Sequence, residues 1–206
     1  MEYDFPVNFI YMHLPGLSYV KKILKAADAV TTPYVCITGD DDYFLEHGLQ
    51  QGSSFLDANS DFVSVQGRYL KFELIENQVI FSPKYDRQVS NYSVTGDDIF
   101  SRVVSAYNPY MAHFASIQRT NVFVKSWRVF SDLSTPFISE LATMLLPICY
   151  GKHKVIPVLW MVRDSFMFPR PGVRKTIDPE KSKYVLISTY RAHKLSIDEV
   201  KLFLDS

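Results

Sequence analysis

Three consecutive carboxylates, Asp40, Asp41 and Asp42, have the residue type and spacing best suited to chemistry in this chain. Adjacent carboxylates repel one another, and a cation between them relieves that repulsion. Hard divalent ions prefer oxygen ligands, and Mg²⁺ or Mn²⁺ is typically held by one or two carboxylates together with substrate phosphates. In an extended segment Asp40 and Asp42 project to the same side, so this pair can face one ligand. The triplet predicts a divalent-cation site; a solvated acidic turn that caps the following helix is the alternative.

The elements around the triplet predict how it is positioned. A β-rich segment from Pro6 to Met12 precedes a helix capped by Ser18, and the apolar run Tyr34 to Ile37 is typical of a strand buried on both faces. Strand, helix and strand in this order indicate a parallel crossover. A second helical pattern begins near Phe44, so the triplet lies at the carboxyl end of a strand. Open α/β sheets bind their ligands at that end.

The rest of the sequence predicts more strands and helices around one core. Strands are expected at Phe62–Phe72, Gln78–Ser82, His113–Gln118 and Val155–Val162, and helices at Ile99–Tyr107 after a capping box at Thr95, from Thr120 to Phe130, and from Thr135 to Gly151. These elements predict one domain over residues 1–165. The Pro-containing and charged sequence of residues 166–206 predicts a tail that ends in a short amphipathic helix near residues 197–204.

Composition limits the possible classes of protein. With 206 residues, 47% hydrophobic and 21% charged, the chain can bury a core, and its formal net charge of +0 excludes a globally basic nucleic-acid surface. Cys36 and Cys149 are isolated, which indicates neither a zinc site nor a disulfide framework. No apolar run reaches the roughly 18 residues of a membrane span, and the acidic start differs from a signal peptide. We therefore expect a cytoplasmic protein that lies, at most, at the periphery of a membrane.

The run from Thr32 to Phe44, with the sequence TPYVCITGDDDYF, resembles the "TPYV…DDDF" segment of a bacterial group of family 2-like GT-A glycosyltransferases. The resemblance extends over about residues 6–165 and is specific mainly in its first third. Further matching positions are Leu49, Phe55 to Asp61 and Gly67, followed by the weaker matches His113 to Thr120, Phe137 to Glu140, Gly151-Lys152 and Val162-Arg163.

The resemblance implies a GT-A-like fold, with a mixed, mainly parallel sheet flanked by helices, and a sugar-transfer reaction. A nucleotide-diphospho-sugar would be the donor, a glycan or a lipid-linked hydroxyl compound the acceptor, and Mn²⁺ or Mg²⁺ the cofactor of an inverting enzyme. Asp40 would lie near the ribose or the sugar, Asp41 would orient the donor, and Asp42 together with Asp40 would bind the metal. Glu140 would be the base that deprotonates the acceptor hydroxyl.

Three further residues are weaker candidates. Arg163 ends the last core strand and could bind the donor's phosphate oxygens, whereas a surface ion pair with Asp164 is its alternative. His113 and Arg119 could line the acceptor side of the site. The alternative for His113 is a structural role, because a histidine beside an aromatic residue more often makes its hydrogen bonds within the core. Glu140 also has a structural alternative, which is to stabilise a helix N-terminus.

The chain departs from the family pattern at its start. Family members begin with strands that carry the nucleotide-base pocket, and the segment Pro6 to Met12 corresponds to a later strand. We therefore expect a domain that lacks the first strands of the fold. This departure favours the alternative of a catalytically silent remnant or binding module, and a metal-dependent phosphotransferase is a third hypothesis.

Overall fold

A mixed β-sheet flanked by helices organises the computed structural model, which describes residues 10–39, 42–75, 78–83, 92–107, 113–132 and 144–164. In chain order the elements are α1 (Tyr19–Ala27), β1 (Tyr34–Val35), β2 (Asp42–Phe44), α2 (Glu46–Ala58), β3 (Phe62–Ile75), β4 (Gln78–Pro83), β5 (Ser93–Val94), α3 (Ile99–Tyr107), β6 (Ile117–Arg119), α4 (Thr120–Val129) and β7 (Lys152–Asp164). Residues 144–150 are also helical.

The two longest strands, β3 and β7, run parallel to each other at the centre of the sheet. Strands β6 and then β1 extend the sheet beyond the first half of β3, and β5 borders the first half of β7. Strands β4 and β2 border the second halves of β3 and β7. Each of these additional pairings is antiparallel, so the expectation of a mainly parallel sheet is wrong within the described residues. The reason is that β6 lies between β1 and β3, so these two strands, which run in the same direction, do not pair with each other.

A bend divides the central pair of strands into two halves. Between the paired positions Gln66 with Val155 and Arg68 with Leu159, Gly67 is the one residue on β3. Its counterparts on β7 are residues 156–158, and the middle one is Pro157. Proline has no backbone N–H to donate to a ladder, so the extra residues bulge out and the strand bends. Because of this bend, each long strand has different neighbours before and after it.

Glycines allow the close packing around this bend. A Cβ atom on Gly67 would lie 2.5 Å from the carbonyl oxygen of Val158, and one on Gly48 would lie 2.7 Å from that of Leu159. Gly52 sits against the ring of Trp160 in the same way. The tryptophan is fully buried, together with Leu56 and other members of the core beneath α2. Small residues on α2 therefore let the helix approach β7 around one large aromatic ring.

The helices on the remaining surface of the sheet have identifiable signals in the sequence. Ser18 caps α1 by accepting a hydrogen bond from the Lys21 amide at 3.4 Å, as expected. The helix packs against α4 around Trp127, which is buried in the core. Asp98 caps α3 by accepting the Ser101 amide at 2.9 Å, whereas the sequence favoured a capping box at Thr95. The aspartate is one turn nearer the helix and is already ionised, which makes it the stronger cap.

The order of the other predicted elements is confirmed, with three differences. The hairpin, the helices α2, α3 and α4, and the last core strand are present, but of the run Tyr34–Ile37 only β1 pairs, and its residues are half-buried. Strand β2 was not predicted. Residues 10–12 form no strand; residues 6–9, the start of the helix at Thr135 and the tail of residues 166–206 lie outside the described residues.

We expect Gly67→Ala to lower the free energy of unfolding by about 1–3 kcal/mol, because the added methyl group collides with the backbone of β7. Urea unfolding measures the change. Arg68→Ala is the matched control, because Arg68 follows Gly67 on the same strand and its side chain is exposed. Equal stability of the two variants would contradict the close approach of the strands.

Candidate functional site

The sheet brings Asp42, the last residue of the acidic triplet, to the carboxyl ends of its parallel strands. β1 runs antiparallel to β6, which runs antiparallel to β3, so β1, β3 and β7 all point the same way. The triplet follows β1, and Asp42 begins β2, which turns back along the end of β7. Asp42 is the register partner of Arg163. Two residues predicted separately from the sequence are thus brought together by the fold.

Strand β2 places the carboxylate through contacts of its other residues. Phe44 projects to the same side of the strand as Asp42, and its ring packs edge-on against Trp160 with the centroids 5.7 Å apart. The Leu45 amide donates a hydrogen bond to the carbonyl oxygen of Trp160 at 2.9 Å, immediately before α2 begins. The sequence had placed Phe44 at the start of the helix. Phe44 is instead the last residue of β2, and its ring packs against Trp160 of β7.

Asp42 and Arg163 form a close ion pair. The Nε atom of Arg163 donates to the Oδ1 atom of Asp42 at 2.6 Å. The carboxylate side chain is 1% exposed, whereas the arginine side chain is 38% exposed. Its two terminal nitrogen atoms have no hydrogen-bond partner among the described residues. Among the described residues, Arg163 is therefore anchored at one nitrogen, and its other two nitrogens meet no partner.

A second cation stands beside this pair. Lys71 on β3 is the register partner of Arg163 on β7, so Asp42, Arg163 and Lys71 form one cross-strand row. Register partners project to the same face of a sheet and lie about 5 Å apart. The row itself carries one negative and two positive formal charges.

The described residues do not by themselves form the expected metal site. Asp42 has the hard oxygen atoms that Mg²⁺ and Mn²⁺ prefer, but one of them already accepts from Arg163 and the side chain is almost fully buried. Within the described ranges, no group of three His, Cys, Asp or Glu side chains is arranged to bind a metal ion. Asp40, the second predicted ligand, lies outside those ranges, as do Asp41 and Glu140.

Arg119 lies at the opposite end of the strands from Asp42. It is the register partner of Tyr34, the first residue of β1. Its guanidinium donates to the carbonyl oxygens of Phe62 at 2.9 Å, Leu56 at 2.7 Å and Asn59 at 3.2 Å. These contacts tie the end of α2 to the start of β3. In this structure Arg119 is a structural residue, and the fold does not bring it to Asp42.

His113 belongs to a buried polar cluster near the start of β7. Its Nε2 donates to the carbonyl oxygen of Met144 at 2.7 Å, and its ring stacks on that of His153 with the centroids 4.5 Å apart. The Nδ1 atom of His153 is 2.8 Å from the hydroxyl of Ser64. Burial, and secondarily the nearby His113, hold the pKa of His153 well below its ordinary value. The histidines therefore occupy the core, which was the structural alternative for His113.

His153 could not be identified from the sequence. Its flanking lysines make residues 152–154 resemble a charged helix end, and Lys152 does bridge Asp61 at 3.1 Å and Asp97 at 2.9 Å. Alternation along β7 nevertheless directs His153 inward. The sequence signal for its burial is the alternation of inward and outward side chains along a strand. This alternation can be used only once residue 152 is known to begin a strand.

A scan against protein-family models finds no match to the chain, and a search of curated proteins finds none either. The fold and the site define a mixed α/β protein with an aspartate–arginine pair at the carboxyl ends of its parallel strands. Within the described ranges, no helix has the length and apolar character needed to cross a membrane.

We expect Arg119→Met to lower the free energy of unfolding by about 2–4 kcal/mol, because it removes charge-assisted hydrogen bonds to three carbonyl groups. Arg128→Met, at an exposed position of α4, is the control. Denaturant unfolding of both variants measures the difference. A structural role for Arg119 would be ruled out by equal stabilities.

The buried His153 predicts a loss of stability in acid. The unfolded chain takes up a proton at this histidine below about pH 6.5, whereas the lowered pKa of His153 means that the folded chain takes it up only at a lower pH. The contribution of the neutral His153 to the free energy of unfolding is complete above that pH. Below it, this contribution falls by up to about 1.4 kcal/mol per pH unit. Unfolding curves between pH 7.5 and 5.5 should therefore be less pH-dependent for His153→Gln. The control variant His47→Gln, at an exposed position of α2, should keep the wild-type slope; an unchanged slope for His153→Gln contradicts the prediction.

Proposed function

We propose that this chain transfers a sugar from a nucleotide-diphospho-sugar to a hydroxyl group of a glycan or a lipid-linked acceptor. The observation that carries the proposal is the Asp42–Arg163 pair, which lies at the carboxyl ends of the parallel strands. Ligands of open α/β sheets bind at this end. The resemblance of residues 32–44 to a glycosyltransferase motif adds the class of reaction.

Arg163 has the features needed to bind the donor's diphosphate. Its Nε is fixed by Asp42 at 2.6 Å, and more than a third of its side chain is exposed. A guanidinium held in this way can present its terminal N–H groups to phosphate oxygens. Donors that are already oriented stabilise charge that develops on a leaving group without further reorganisation. Asp42 then acts as a positioning residue for Arg163, and Lys71 adds positive charge from the adjacent strand.

The proposal keeps a metal ion as a separate prediction. A divalent ion bound at Asp40 and Asp42 would neutralise charge on the nucleoside diphosphate that departs. In the described residues, however, the positive charge next to Asp42 comes from Arg163. The dependence of the reaction on Mg²⁺ or Mn²⁺ is therefore to be measured independently of the role of the arginine.

The acceptor side of the proposal depends on Glu140. A base that removes the proton from the acceptor hydroxyl must reach it within hydrogen-bond distance as the new glycosidic bond forms. Glu140 is assigned this role, with inversion at the sugar carbon, from the resemblance alone. Arg119 and His113 are not part of the proposed acceptor site, because both are engaged within the fold.

The experiment follows release of nucleoside diphosphate from a panel of nucleotide-diphospho-sugars by mass spectrometry, with Mn²⁺, with Mg²⁺ and with a chelator. We expect Asp42→Asn and Arg163→Gln each to lower turnover by about 10²-fold, because each removes an oriented charge at the leaving group. Asp132→Asn is the control, since this carboxylate is exposed just after the end of α4. Thermal unfolding confirms that each variant is folded.

Three outcomes contradict the proposal. If the Asp42→Asn variant keeps the wild-type turnover, Asp42 has no role in the reaction. Release of phosphate without any glycosyl product favours the phosphotransferase hypothesis. An absence of both turnover and calorimetric binding of nucleoside diphosphates favours the catalytically silent remnant.

A further inference from the structure

Strand β4 exposes apolar side chains on both of its faces. Val79 and Phe81, on one face, are 53% and 58% exposed, and Ile80, on the other, is 47% exposed. The strand contains no charged residue. Soluble proteins normally protect such a strand with charge, with a bulge or with a covering element. The exposure of three consecutive apolar residues therefore indicates a surface that binds something.

The outer edge of β4 has no partner strand among the described residues. Within the described residues β4 pairs only with β3. In an antiparallel pair every second residue directs its N–H and C=O groups away from its neighbour. Another extended segment can therefore add to the sheet at this edge and cover part of the exposed apolar surface as it does so.

The chain itself leaves the sheet close to this surface. Asp164, the last residue of β7, is the register partner of Phe72 on β3, which in turn is the partner of Phe81 on β4. Asp164 and Phe81 thus belong to one cross-strand row, two strand spacings or about 10 Å apart. Residues 165–206 follow from this point and lie outside the described residues.

One segment of these following residues has the composition of a strand. Residues 184–190 have the sequence YVLISTY, which consists of β-branched, aromatic, aliphatic and hydroxyl residues without a charge. We propose that residues 184–190 pair with the outer edge of β4 and cover its apolar side chains. This surface is then an intramolecular docking site for the C-terminal segment.

The length of the connection makes this pairing accessible. Nineteen residues lie between Asp164 and Tyr184, and a connection of that length can reach at most about 65 Å. The new edge lies three strand spacings, or about 15 Å, from β7. A tethered segment of this kind has an effective concentration in the millimolar range. A second copy of the chain or a membrane surface has no such advantage at micromolar protein concentration.

The test measures hydrogen exchange of individual amides by NMR in the full chain. We expect the outward-facing amides of β4 to be protected, and the double variant Val185→Asp/Ile187→Asp to exchange them at least about tenfold faster, because both new charges fall within the docked strand. Thr176→Asp/Ser182→Asp is the control, with the same charges placed before the segment. Unchanged protection of the β6 amides shows that the variants are folded.

The remaining outcomes overturn the proposal. Outward-facing β4 amides that exchange rapidly in the wild-type chain show that nothing pairs there. Protection that increases with protein concentration, together with a dimer in sedimentation velocity, assigns the edge to a second copy. Protection that appears only with vesicles of phosphatidylethanolamine and phosphatidylglycerol assigns it to a membrane surface.

Discussion

Pro157 cannot donate a backbone hydrogen bond, and this constraint shapes the whole sheet. The parallel ladder of β3 and β7 cannot continue through it, so three residues of β7 lie opposite Gly67 alone. The bend that results is possible because Gly67 has no side chain to collide with the carbonyl of Val158. Before the bend the neighbours are β6 and β5, and after it they are β4 and β2. The half that contains Asp42 and Arg163 is thereby separated from the half that contains the buried histidines.

Three arginines show how the same side chain acquires different roles in this fold. Arg102 is buried and donates to four carbonyl groups, including those of Ile148 and Cys149 at the end of helical residues 144–150. Arg119 donates to three carbonyl groups at the joint between α2 and β3. Both satisfy backbone acceptors that a buried helix end would otherwise leave unpaired. Arg163 instead meets one carboxylate and keeps two terminal nitrogens free of described partners, which is why it is the arginine suited to an external anion.

Much of the fold could be predicted from the sequence because its signals are local. Residues that are close in the sequence encode the apolar face of α1 and its Ser18 cap. The same holds for the hairpin of β3 and β4 and for the apolar run of β7. Strand β2 was not predicted because three residues before a helix are too few to show the alternation of apolar and polar side chains that indicates a strand. The direction of the sheet was misjudged because strand order depends on contacts between distant segments. Similarly, His153 could be placed in the core only after the start of β7 was known.

For the candidate site, residue types and their local order identify the chemical groups: three adjacent carboxylates after an apolar run, and an arginine at the end of the last core strand. The folded sheet makes Asp42 and Arg163 register partners and buries the Asp42 side chain almost fully, and neither property follows from the sequence. The fold also directs Arg119 and His113 to backbone carbonyls elsewhere. The physical reason is that residue type and local spacing are properties of a short segment. Pairing across 121 positions of chain depends instead on how strands from distant segments align, and here that alignment follows the bend at Gly67 and Pro157.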